Sequence, residues 1–171
     1  MWKGSGPVNG LGKQTEAPEN RLPDLTPSTE WQGTWTGKLA IAGPSDERSE
    51  VPVALRIEPI KGSSELTWAI TYGEGEKAVV RDYKISPDGE NLHRLRIDEK
   101  NGVVLEARLV NNVIYSQFSV GGGLVTARYE LRGDTLRFEV TSSKPSGQKT
   151  GAGRVQGYVF EVVQSAELKK K

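Results

Sequence analysis

From Trp31 onward the chain alternates apolar and polar positions almost to its end. Between 31 and 42 one parity carries Gly33, Trp35, Gly37, Leu39 and Ile41, and the other carries Thr34, Thr36 and Lys38. Period two of this kind puts one face of a strand on a core and the other in water. The pattern recurs in Val51, Val53, Leu55 and Ile57, in Leu66, Trp68, Ile70 and Tyr72, and in Val79, Arg81, Tyr83 and Ile85. It continues through His93, Leu95 and Ile97, then Val103, Leu105, Ala107 and Leu109, then Ile114, Ser116, Phe118 and Val120. Val125, Ala127, Tyr129 and Leu131 follow, then Leu136, Phe138 and Val140, and last Tyr158, Phe160 and Val162. About ten strands are therefore predicted, and no segment carries a helical stripe.

The breaks between these runs are turn chemistry. Asn101-Gly102 and Asn111-Asn112 suit two-residue turns that need positive φ, and Pro87-Asp88-Gly89 and Gly133-Asp134 are equally strong breakers. Connections this short join antiparallel neighbours and leave no room for parallel crossovers. The predicted fold is all-β: an antiparallel up-and-down β-barrel, with a two-sheet β-sandwich as the alternative. Ser142 to Gly153, with Pro145 and several glycines, is expected to be a long mobile loop before the last strand. Residues 1–30, broken by Pro7, Pro18, Pro23 and Pro27, are expected to form a flexible, disordered leader with Trp2 exposed. The barrel domain is placed at 31–168.

Composition adds bounds on function. The chain has 171 residues, 26% charged and 35% hydrophobic, with a net charge of +1. Such a balance gives no sequence-independent grip on nucleic acid, and none is expected as a partner. There is no cysteine, which removes disulfides and thiolate chemistry. No apolar run approaches the roughly 20 residues of a membrane span, and the Met1-Trp2-Lys3-Gly4 start has no apolar export segment. The expected location is cytoplasmic as the chain stands, or secreted or periplasmic if an export signal has been trimmed. Oligomeric state is left open.

The run Trp31-Gln32-Gly33-Thr34-Trp35-Thr36-Gly37 resembles the Gly-x-Trp signature that opens the first strand of calycin barrels, the lipocalins, fatty-acid-binding proteins and their bacterial relatives. That resemblance implies a tryptophan plugging one barrel end and a ligand held inside. In lipocalins a late arginine covers this tryptophan; Arg154 matches by type, but it begins the last strand, far from the start of the first. Gly43 to Glu50 has room for a loop where fatty-acid-binding proteins carry two helices. Gly33-Thr34-Trp35 also resembles the start of the haem-binding nitrobindin barrels, whose iron takes a histidine from the final strand. No histidine lies there, so haem is not expected, and no other cofactor is.

Chemistry-bearing residues are sparse. His93 is the sole histidine, and no nucleophile elbow, phosphate loop or zinc motif occurs, so no catalytic residue is assigned and the inventory argues against an enzyme. No metal site is expected: Asp98-Glu99-Lys100-Asn101-Gly102 lacks the acidic spacing of a calcium loop and is read as a hairpin tip. Arg81 shares the inward parity of Val79, Tyr83 and Ile85, where an unpaired guanidinium needs compensation. It could receive the acidic head of an apolar ligand, pair internally with Glu106 or Glu139, or be turned outward by a bulge. Trp35, Trp68, Tyr72, Phe118, Tyr129, Phe138, Tyr158 and Phe160 all take inward parities. Lys169, Lys170 and Lys171 are read as a solvated terminus.

The expected function is non-catalytic binding of a small hydrophobic or amphipathic molecule inside a lipocalin-like barrel. Trp35, Trp68, Arg81, Tyr83, Phe118 and Tyr129 are the candidate ligand-binding residues. The alternative is a structural or interaction β-module, with a protein or carbohydrate partner and a fully packed interior.

Overall fold

Asn111 and Asn112 both take positive φ, 49° and 61°, the twist a two-residue hairpin turn requires. They join two of ten strands in a computed structural model that describes residues 27–45, 47–151 and 153–171, apart from the side chains of Leu92 and of 148–150. Trp2 and most of the expected leader, residues 1–26, lie outside the described residues.

The strands are β1 (Gly33–Ala42), β2 (Arg48–Pro59), β3 (Leu66–Tyr72), β4 (Val79–Asp88), β5 (Asn91–Asp98), β6 (Val104–Val110), β7 (Val113–Val120), β8 (Gly123–Arg132), β9 (Thr135–Thr150) and β10 (Val155–Lys170). Each pairs antiparallel with its sequence neighbours, and β10 returns to β1, so the sheet closes into the predicted barrel and the sandwich is set aside. Closure leaves no sheet edge along most of the wall. The β6–β7 seam is the shortest: its rungs run only from Val110–Val113 to Ala107–Ser116. Where this ladder ends, Ser116 Oγ donates to the Glu106 carbonyl at 2.8 Å.

At the β1–β10 seam the backbones come close at Gly37, where a Cβ would meet the Glu167 carbonyl oxygen at 2.5 Å. Glycine is therefore a packing requirement there, at the strand junction that completes the barrel.

The segment 142–153 departs from expectation. It is strand up to Thr150 and again from Val155, a ribbon in which Tyr158 faces Pro145 and Val159 faces Lys144. Backbone pairing does not depend on apolar side chains, and Pro145 is tolerated because β8 pairs with β9 only as far as Ser143. The ribbon projects past the barrel, and register shifts between Gln156 and Tyr158 and between Phe160 and Val162 interrupt the alternation. Tyr158 and Phe160 are consequently exposed instead of inward. At the other end of the same strand, Lys169 and Lys170 belong to β10 and pair with Thr36 and Trp35; they are not a free basic tail.

Candidate functional site

The two ends of the barrel differ. Where β1 begins, a 3-10 turn over Thr29–Trp31 folds Trp31 under the strand, and Trp35 Nε1 donates to the Trp31 carbonyl at 2.8 Å. Trp31 and Trp35 are both fully buried. Lys170 Nζ sits 5.1 Å from the centre of the Trp35 ring and donates to the Glu30 carbonyl at 3.2 Å. A late cation does cover the signature tryptophan, but it is Lys170; Arg154 lies in the β9–β10 turn at the opposite end.

A string of aromatic rings crosses the interior above this plug. Trp31 lies 6.0 Å from Trp68, Trp68 meets Tyr129 edge-on at 5.1 Å, and Tyr129 stacks on Phe138 at 5.6 Å. Trp68 is on β3 and Tyr129 on β8, five strands apart in a ring of ten, so their contact spans the lumen. Burial pushes the Tyr129 hydroxyl well above the usual tyrosine range, and the neighbouring Tyr72 adds to the rise while Trp68 opposes it.

On the other side of this aromatic floor some inward side chains are partly exposed, while Val53 across from Tyr72 and Ser116 beside Phe118 stay buried. Tyr72, Tyr83, Phe118, Ala127 and Val140 are half-buried, although their cross-strand partners and parity place them inside. Tyr72, Tyr83, Ala127 and Val140 still pack against the core, so water touches them from the end of the barrel opposite the plug.

Arg81 belongs to the rung Trp35, Leu55, Ile70, Arg81, which climbs from the plug towards the mouth across four strands. Its partner Ile70 is buried, so Arg81 is on the inward face, yet Arg81 itself is exposed. The internal pairing with Glu106 or Glu139 does not form, since both carboxylates are exposed on the outer wall. Among the described residues Arg81 has no ion pair. Burial, then Tyr83, raise the Tyr72 hydroxyl above its usual range; burial, then Glu99, raise that of Tyr83; the Arg81 charge pulls against both shifts.

Four of the six candidate residues thus come together: Trp68 and Tyr129 as floor, Arg81 and Tyr83 on the wall above it. Trp35 sits beneath the floor with its indole N–H already engaged, and Phe118 stands on β7, in register with Val125. Tyr72 was missing from the candidate set although its parity with Trp68 and Ile70 carried the signal. His93 is exposed, and among the described residues no group of three metal-ligating side chains occurs. The 98–102 segment is a hairpin tip, with the Lys100 backbone N–H donating to Asp98 Oδ1 at 2.7 Å. Among the described residues no helix is long and apolar enough to cross a membrane.

No family model matches the chain, and no curated protein does. Solved structures do. A protein of unknown function from the DUF3598 family of Nostoc punctiforme superposes with a TM-score of 0.59 at 10% identity, covering 83% of this chain and 48% of its own; the chain spans about half of that protein. The S-type phycobiliprotein lyase CPES of Guillardia theta matches with a TM-score of 0.60 at 6% identity, over 83% of this chain and 89% of the lyase. Rv2717c of M. tuberculosis matches with a TM-score of 0.56 at 14% identity, over 86% and 99%. Identities this low carry a likeness of fold alone, here to the closed antiparallel barrel of this chain.

Proposed function

We propose that the protein binds, without catalysis, a small amphipathic molecule at the end of its barrel opposite the plug, as a lipocalin-like or fatty-acid-binding-protein-like carrier would. The observation that carries this reading is Arg81: an exposed guanidinium, unpaired among the described residues, whose strand register puts it on the inward face, one rung towards the mouth from the Trp68–Tyr83 pair. A pocket of this kind offers apolar walls for a tail and one charged fork for a head group. Tyr72 and Tyr83, kept protonated, supply hydroxyl donors beside the guanidinium. The Trp68–Tyr129 contact sets the depth, and Trp35 supports it from below. Phe118 lines the far wall.

The test is a fluorescence titration with 8-anilinonaphthalene-1-sulfonate, displaced by dodecanoate or by dodecanol. Saturable dye binding is expected, with displacement by both. Arg81→Gln should weaken dodecanoate about tenfold, or roughly 1.4 kcal/mol, and leave dodecanol unchanged. Absence of dye binding to the folded protein, or equal effects on acid and alcohol, contradicts the reading.

The projecting β9–β10 ribbon favours a second reading, an interaction module, because Tyr158, Val159 and Phe160 are exposed along it. Serine at these three positions should leave dodecanoate binding intact if the lumen is the site, and abolish association with a protein partner if the ribbon is.

A further inference from the structure

On the outer wall, directly opposed residues run Arg94, Arg108, Tyr115, Arg128 across β5, β6, β7 and β8. Two guanidiniums facing each other in register repel, and a cross-strand pair of like charges is destabilising. Arg128 is committed: it donates to Glu130 Oε2 at 2.8 Å and its guanidinium lies 5.9 Å from the centre of the Tyr115 ring. Glu130 is further held by Arg132 at 2.6 Å. Arg94 and Arg108 have no such partner among the described residues. They line an outer groove of about 560 Å³ together with Tyr115, Gln117 and Thr126, a volume within the range of small-ligand sites. Two acids share the groove, Asp88 and Glu106; Glu106 stands across from Arg96, and neither acid forms an ion pair with Arg94 or Arg108.

We propose that this groove is a second binding site, separate from the lumen, for a small ligand that carries a carboxylate or phosphate beside an aromatic ring. The anion would lie between Arg94 and Arg108, where one oxyanion relieves the repulsion and accepts from both forks. The ring would pack on Tyr115, which is 43% exposed and whose orientation Arg128 fixes. The groove continues past the end of the β6–β7 ladder, where Glu106 and Gln117 line it.

Phenyl phosphate and benzoate, with inorganic phosphate and phenol as controls, test the site by NMR titration of the folded protein. Saturable shifts at Tyr115 are expected with phenyl phosphate or benzoate, and whichever binds more tightly names the head group. Inorganic phosphate should bind at least fivefold more weakly than phenyl phosphate, and phenol should not bind. Arg94→Ala and Arg108→Ala should each weaken binding tenfold or more. Both substitutions should leave the melting temperature equal or higher, because they remove an unrelieved repulsion, so lost binding will not reflect lost fold. Absence of saturable shifts, undiminished binding in Arg108→Ala, or a lower melting temperature in both variants overturns the proposal. Dodecanoate binding in the lumen should be unaffected by either substitution, which separates failure here from failure of the lumen reading.

Discussion

Lys170 Nζ lies 5.1 Å from the centre of the Trp35 ring at the seam where the last strand meets the first. The same ammonium donates to the Glu30 carbonyl, so a single side chain ties the entering chain, the plug tryptophan and the last strand together. Lys170→Met keeps the aliphatic stem and removes the charge. The expected cost is about 0.5 to 1 kcal/mol, measurable as a lower urea midpoint with an unchanged slope. An unchanged midpoint would show the contact to be ornamental.

Gly37→Ala acts on the same seam from within. The added methyl would meet the Glu167 carbonyl oxygen, part of the strand backbone, at 2.5 Å, and the core-packed Leu168 Cδ2 at 2.9 Å. A loss of about 1 to 3 kcal/mol is expected from overpacking of this kind. Equilibrium denaturation of the variant, with the wild type alongside, reads it directly.

Tyr129 gives the protein an alkaline limit. In the unfolded chain its hydroxyl ionises near pH 10, whereas in the folded barrel burial holds it protonated to a higher pH. Below about pH 10 both states carry the proton and stability is unaffected. Above it the unfolded state releases a proton that the folded state retains, so stability falls as pH rises. Tyr72 and Tyr83 shift in the same direction and contribute to the same fall. Tyr129→Phe keeps the ring contacts with Trp68 and Phe138 and should make the decline above about pH 10 shallower. Thermal melts between about pH 7 and 11 check it.

The barrel was legible because every strand but the last pair carries a clean period-two face and every turn a glycine, asparagine or proline. The ribbon over 142–160 was not, because its pairing is carried by backbone hydrogen bonds between residues chosen for neither face. Bulges near Tyr158 and Phe160 then defeat any argument from parity. Trp68, Tyr83 and Tyr129 could be placed inside from alternation alone. Their depth could not: Trp35 and Arg81 share one rung, yet strand tilt puts the first in the plug and the second at the water. The Lys170 contact was hidden for a related reason, since nothing local to a run of three lysines reveals which strand it will lie against.

The proposed function requires a ligand pocket at the end of the barrel above the Trp68–Tyr129 contact. Its most direct test is a heteronuclear NMR titration with dodecanoate, read at backbone amides. Saturable shifts at Tyr72, Arg81, Tyr83, Phe118 and Ala127, with Arg94 and Tyr115 unmoved, are the predicted result. Shifts confined to the outer wall or the β9–β10 ribbon, with the inward rows silent at saturation, would contradict it.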